Sequence, residues 1–413
     1  MAGLDNVMAH TFGIPLMTHG SSRANSRGGD KAVMRYRELG RTGLKVSEIG
    51  FGAEWMPGDD AQKVARVVAY AAERGVNIVD CWMADPAVRK TLGAAVCAQR
   101  DKWIVQGHLG STWQNEQYTR TREMDQVIPA WEQLLDCFGG HIELGLIHYV
   151  DMLDEFDQIM AGPFIEYVRA EKAAGHIDHI GLSTHNPDVA LHAAQVDDIE
   201  MIMFSINPAF DLLPASEDIN DLFAEEYEEG LRNIDPVREQ LYALCEKRGV
   251  GITVMKGFAG GRLFDAEKSP FGVAMTPVQC AHYCLTRPGI ASVMAGFRDE
   301  GECDGCLAYE TATDQEKDYA SILANAPQHS YYGQCIYCGH CQPCVVGINI
   351  AEVNKYADLA LMQDEVPASV REHYLALDVR AGDCTGCASC EPNCPFGVPI
   401  AQRMVETAQL FGA

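Results

Sequence analysis

The feature that most constrains this 413-residue chain is an alternation. From Tyr36 to about Gly305, short runs rich in β-branched residues alternate with amphipathic stretches at helical spacing. Alternation of that kind means βα units around a parallel sheet. The strand-like runs are Val46–Gly52, Asn77–Cys81, Trp103–Gln106, Leu144–His148, Ile177–Ser183, Met201–Ile206, Gly251–Met255 and Ala291–Gly296. Helical spacing fills the gaps at Ala61–Arg74, Pro86–Gln99, Met124–Cys137 and Phe164–Ala174. Asp85-Pro86, Asn186-Pro187, Asp235-Pro236 and Thr276-Pro277 each set a capping oxygen before a proline at a helix's first position. Eight such strands predict an α/β fold, a (β/α)8 TIM barrel, over residues 34–309.

The flanks differ. Residues 1–33 are small, polar and Gly-rich around Ser21–Asp30 and read as a flexible N-terminal extension, with Met34 a candidate start. They lack both a basic n-region and a convincing apolar h-region. An insertion at Leu212–Asn233 carries Glu225-Glu226-Tyr227-Glu228-Glu229, which reads as a solvated helix face or as a lid over the barrel mouth. A hydrophobic content of 47% supports a large core, and a formal charge of −26 repels nucleic acid and anionic lipid. No apolar run is long enough to span a bilayer. Neither nucleic acid nor membrane is expected as a partner.

Residues 310–413 abandon the alternation. Glu310–Ala326 reads as a linking helix and Ile350–Leu377 as a helical spacer between two cysteine runs. The first run is Cys335-Ile-Tyr-Cys338-Gly-His-Cys341-Gln-Pro-Cys344. The second is Cys384-Thr-Gly-Cys387-Ala-Ser-Cys390-Glu-Pro-Asn-Cys394-Pro395. Together they hold eight of the 16 cysteines. The second is the bacterial ferredoxin pattern, whose fourth cysteine serves the other cluster. The expectation is a C-terminal α-helical ferredoxin-like domain with two [4Fe–4S] clusters. Cys335, Cys338, Cys341 and Cys394 would hold one, and Cys384, Cys387, Cys390 and Cys344 the other. The first run departs from the pattern, since two residues rather than three separate Cys341 from Cys344 and Val345 stands where proline is usual. Structural zinc is the competing reading of C-x2-C pairs. The remaining eight cysteines read as ordinary thiols of a reducing, cytoplasmic compartment, and Cys303-Asp-Gly-Cys306 as structural.

The opening Tyr36-Arg-Glu-Leu-Gly-Arg-Thr-Gly-Leu-Lys-Val-Ser-Glu-Ile-Gly-Phe-Gly52 resembles that of aldo/keto reductases. So do Gly75-Val-Asn-Ile-Val-Asp80, Leu92-Gly93, Leu146-Ile-His148 and Gly181-Leu-Ser-Thr-His-Asn186. From Met34 onward the chain resembles the branch of that family with a C-terminal ferredoxin-like domain. The resemblance implies an active site at the C-terminal strand ends, oxidoreductase activity, and an Asp, Tyr, Lys, His catalytic set. Asp80 matches the aspartate and His148 the histidine. Asp85 stands where the tyrosine belongs and His108 where the lysine belongs. A carboxylate at Asp85 is ionised near neutral pH and donates protons poorly, so a helix cap competes with a catalytic role. Imidazole at His108 can supply a proton near neutrality. Glu54, Trp55, Trp82 and Trp113 fall near strand ends and suggest a flat or apolar small-molecule substrate.

No G-x-G-x-x-G follows an early strand, so a Rossmann nucleotide site is not expected. Barrels often hold phosphate in the loops after strands seven and eight. Here those loops carry Lys256, Gly260, Gly261 and Arg262, then Gly296 and Arg298. Family resemblance places nicotinamide dinucleotide phosphates near these loops, with Ser183 a further cofactor contact, and FMN would fit them too. Three functions follow. The first is an iron–sulfur oxidoreductase fed through the clusters, with a ferredoxin or flavoprotein as redox partner. The second is an NAD(P)H-dependent carbonyl reductase with structural clusters, and the third a non-catalytic electron-transfer subunit.

Overall fold

The computed structural model of the protein describes residues 34–212, 234–269, 271–319, 322, 335, 341–361, 366, 368–394 and 397–413. The N-terminal extension, Cys338 and nearly all of the Leu212–Asn233 insertion lie outside the described residues.

Strands β1 (Tyr36–Glu38) and β2 (Lys45–Ser47) pair antiparallel. Leu39 and Val46 of this opening hairpin pack inside the barrel against Ile78, Leu144 and Met201. The barrel strands are β3 (Ile49–Gly52), β4 (Ile78–Cys81) and β5 (Ile104–Leu109). A second antiparallel hairpin follows, β6 (Ser111–Gln114) and β7 (Gln117–Arg120), lying outside the barrel sheet. The barrel resumes with β8 (Ile142–Ile147), β9 (Ile177–Thr184), β10 (Met201–Ser205), β11 (Gly251–Met255) and β12 (Ile290–Ala295), which closes back on β3. All eight barrel pairings are parallel, so the C-terminal strand ends gather at one mouth.

Helices α1 (Ala61–Glu73), α2 (Pro86–Cys97), α3 (Met124–Cys137), α4 (Leu153–Ala161), α5 (Pro163–Ala173), α6 (Pro187–Ala193), α7 (Pro236–Arg248), α8 (Pro277–Leu285) and α9 (Glu300–Leu307) accompany the sheet. Each buries an apolar stripe of the kind α1 shows in Val64, Val67, Val68 and Ala71. The four proline-marked starts are true caps. Asp85 accepts from Ala87 N at 2.8 Å, Asn186 from Asp188 N at 2.9 Å and Asp235 from Val237 N at 2.8 Å. Thr276 forms a full capping box with Gln279. Gly93 lets α2 lie against α3, since a Cβ there would run into the Cys137 carbonyl.

Of the expected linking helix, Ala308–Glu310 forms a 3-10 turn, the residues to Tyr319 run mainly as turns and Ile322 is helical, the remainder lying outside the described residues. Glu316 there accepts from both the backbone and the hydroxyl of Thr313, whose hydroxyl accepts the Glu316 N–H at 3.3 Å, the reciprocal pattern of a capping box. The spacer holds two helices, α10 (Ile350–Leu361) and α11 (Ala368–Leu375), the second following Pro367, which has no N–H for a continuing ladder. Helix α12 (Ile400–Phe411) ends the chain. Val353, Tyr374, Met404 and Phe411 form the core of this C-terminal segment, with the Tyr374 and Phe411 rings stacked at 3.9 Å. Phe210, Leu263 and Met275 from the barrel loops belong to the same cluster, so segment and barrel share one apolar core.

Candidate active site and sulfur pocket

At the barrel mouth, four side chains form one hydrogen-bonded line. Asp80 ends β4, His108 lies near the end of β5, and His148 follows β8. His108 Nε2 lies 2.8 Å from Asp80 Oδ1, and its Nδ1 lies 2.9 Å from His148 Nδ1. His148 Nε2 lies 2.8 Å from the hydroxyl of Tyr118. All four residues are buried. Gln106, two positions before His108 and thus on the same strand face, donates to Asp80 Oδ1 at 2.6 Å. Its own oxygen accepts from Thr253 at 2.9 Å.

The protons on this line can be assigned from its ends. An ionised Asp80 only accepts, so His108 carries its hydrogen on Nε2 and accepts at Nδ1. His148 then donates from Nδ1 and accepts the Tyr118 hydrogen at Nε2. With Asp80 as the acceptor, the line runs from phenol to carboxylate.

Tyr118 comes from the β6–β7 hairpin, an element with no counterpart in the strand pattern of the sequence. Several contacts hold that hairpin in place. Ser111 Oγ donates to Trp82 O at 2.6 Å, and the buried Arg89 donates to Ser111 O at 2.9 Å, Met83 O at 2.7 Å and Ala130 O at 2.8 Å. Just beyond the hairpin, Arg122 donates to His148 O at 2.7 Å and pairs with Glu155. Burial pushes the Arg122 guanidinium down to about 10, which still leaves it charged at neutral pH. Trp82 lies parallel to the His148 ring at 6.2 Å and meets the Tyr118 ring edge-on at 5.6 Å.

Asp85 stands outside this line, its carboxylate committed to the cap of α2. Ser183 is likewise engaged, accepting the Tyr149 N–H at 2.7 Å. Tyr149 leaves the strand alternation with φ 49° and packs on His185 at 4.9 Å.

The loops after β11 and β12 open a cavity to solvent. It gathers Lys256, Gly260, Gly261, Gly296 and Arg298, five of the seven expected cofactor residues, together with Glu54 and Trp55. Gly296 is required by the close approach of Trp55, whose ring a Cβ would meet at 2.9 Å. Glu54 is exposed to the cavity yet surrounded by protein, which pushes its carboxyl up. Lys256 opposes that shift and Asp80 adds to it. Arg298 is clamped by Glu302 through its backbone and guanidinium, at 2.8 and 2.9 Å. Arg262 turns toward the C-terminal segment and donates to Cys335 O at 3.2 Å.

In that segment, Cys344, Cys384, Cys387 and Cys390 line one pocket. Gly386 N donates to Cys384 Sγ at 3.4 Å, and Ser389 Oγ lies 3.2 Å from Cys387 Sγ. Burial pushes the Cys390 thiol up to about 11, and the nearby Cys344 and Cys384 add to the shift. Cys341 and Cys394 are buried in the adjoining core, with Cys335 packed against it. Among the described residues, no three His, Cys, Asp or Glu side chains are placed to share a single metal ion. The pocket touches the active-site hairpin directly, because Cys344 N donates to Gln117 Oε1 at 2.8 Å, one residue before Tyr118.

The aldo/keto reductase family profile matches residues 48–291, more than half of the chain. The chain belongs to that family and is an oxidoreductase acting on a small molecule. Family members typically use NAD(P)H. The fold is similar to that of aldo-keto reductase AKR11C1 from Bacillus halodurans in its holo form, at 20% identity and a TM-score of 0.56, over 72% of this chain and 98% of that one. The apo form of the same protein matches at 20% identity and 0.51, over the same shares of both chains. No curated protein matches the sequence. Both cysteine runs lie beyond the matched family region. Among the described residues, no helix is long and apolar enough to cross a membrane.

Proposed function

We propose that the protein is an iron–sulfur oxidoreductase whose barrel reduces a carbonyl or unsaturated organic substrate with electrons relayed through two [4Fe–4S] clusters. The observation that carries this reading is the meeting of Cys344 with Cys384, Cys387 and Cys390 around one pocket. Those four residues are the set expected if the two cysteine runs exchange their last ligand. A single zinc needs all its sulfurs about 2.3 Å from one point, whereas a cube offers each thiolate its own iron. Sulfurs that line a wall suit the cube. Cys335, Cys338, Cys341 and Cys394 would hold the second cluster. Bound clusters supply electrons one at a time.

The chain's own residues supply protons and position. Reducing a carbonyl to an alcohol adds two electrons and two protons across the double bond. Tyr118 is placed to give one proton to the oxygen, and His148, His108 and Asp80 form the line that restores it. The second proton comes from solvent, and the electrons from a reduced ferredoxin or flavoprotein.

The cavity beside Lys256, Gly260, Gly261 and Arg298 favours a second reading. Here NAD(P)H binds that cavity, hydride replaces the electron pair, Tyr118 or His108 gives the proton, and the clusters are structural.

Anaerobic purification, metal and sulfide assay and EPR spectroscopy test the first reading. It expects about eight iron and eight sulfide per chain, with roughly half lost in C387S. Iron-free protein, or zinc at these positions, would overturn it. Reduced methyl viologen should drive carbonyl reduction in the wild type and fail in C387S. NADPH-driven turnover unaffected by cluster loss would select the second reading.

A further inference from the structure

The cavity after β11 and β12 is not built by the barrel alone. Lys355, on the fifth residue after the start of α10, reaches it from the C-terminal segment. The charges around the cavity show what it adds. Arg298 is neutralised by Glu302, with which it shares several hydrogen bonds. Lys256 acts electrostatically on the Glu54 carboxylate. Lys355 makes no ion pair among the described residues and lies 5.8 Å from the Tyr356 ring centre. Two carboxylates therefore face three cations, and the surplus positive charge is that of Lys355. In a chain of net charge −26, a cavity with spare positive charge selects anions. The cavity opens to solvent between the loops after β11 and β12 and α10, so a ligand's charged end can enter it from outside. Glycines at Gly260, Gly261 and Gly296 leave the backbone open to close approach.

We infer that Lys355 completes a nucleotide-phosphate site between barrel and C-terminal segment, so that the segment contributes directly to cofactor affinity. This rests on the nucleotide reading of the cavity and not on the identity of the metal. A nicotinamide nucleotide or FMN would present the same phosphate chemistry to the ammonium group. The lysine is partly exposed, and replacing it leaves the segment's core residues intact.

Full-length protein prepared without oxygen is titrated with NADPH, NADH and FMN in separate arms, following Trp55 emission and heat. At least one arm should saturate. K355E should weaken that binding by about tenfold or more, and K355R should restore it. Iron content is measured in every preparation, which separates a failure of the cluster reading from a failure at Lys355. Unchanged affinity in K355E, or no binding in any arm of the wild type, overturns the inference.

Discussion

A hydrogen bond between two imidazoles runs in one direction at a time. That rule makes Asp80, His108, His148 and Tyr118 a single unit, since fixing the proton at one end fixes it along the whole line. If Tyr118 is the proton donor proposed above, Y118F should cost about 10²–10⁴ in kcat. D80N replaces the terminal acceptor with a side chain that can donate, permits the wrong tautomer of His108, and should cost a similar factor. The double variant should be little worse than either single one, because groups acting as a unit lose their effect together. Steady-state kinetics on the three variants checks this, and multiplying losses would contradict it. Asp80, His108 and His148 came into view only through the family resemblance, which maps its catalytic set onto those positions; the structure brings the three into one hydrogen-bonded line. Tyr118 was hidden because β7, which carries it, lies outside the barrel sheet and has no counterpart in the βα alternation. Its turn, Asn115-Glu116, has φ of 51° and 60° without the glycine that usually marks a two-residue hairpin. Elsewhere, the buried Asp211 accepts from Tyr242 at 2.6 Å and Tyr283 at 2.9 Å and pairs with Arg238. D211N strands a buried guanidinium and should lower stability by about 3–5 kcal/mol in urea melts.

At the scale of elements, the eight strands and most helices were readable because period and caps agree. Met124–Cys137 is helical over its whole expected span. The Ile350–Leu377 spacer is helical over Ile350–Leu361 and Ala368–Leu375, and most of the stretch between them lies outside the described residues. The hairpin's placement depends on Arg89, whose guanidinium serves four acceptors on three elements. R89M leaves those acceptors unpaired and should cost about 3 kcal/mol, with activity falling further than stability alone explains. Denaturant melts and kinetics on one preparation separate the two effects. Glu200 gives a pH signature. Burial would raise its carboxyl, but His179 and Lys172 hold it down to about 2, against an ordinary 4.5. A depressed folded value means stability present above about pH 4.5 and lost as pH falls toward 2. The wild type should therefore melt above E200Q near pH 6, and the gap should close through that acid window.

On the scale of the whole molecule, the described residues bring barrel and cysteine segment together at several polar points. Gln117 takes the Cys344 N–H, Arg262 reaches Cys335 O, and Lys355 borders the cavity after β11 and β12. None of these contacts was visible in the sequence, because each joins residues far apart in the chain. Their partners are ordinary polar residues that no spacing singles out. Q117A should leave iron content near wild type while reducing turnover, since the amide links the sulfur pocket to the strand that carries Tyr118. Parallel iron assay and kinetics would show this, and full activity would deny the link.

The Gln117 contact also bears on how the enzyme comes into being. A thiol loop that takes its final shape around metal cannot offer the Cys344 N–H correctly beforehand. If the proposed clusters form, their assembly would be the closing step in setting this hairpin contact, and protein made without iron would hold folded barrels with reduced turnover.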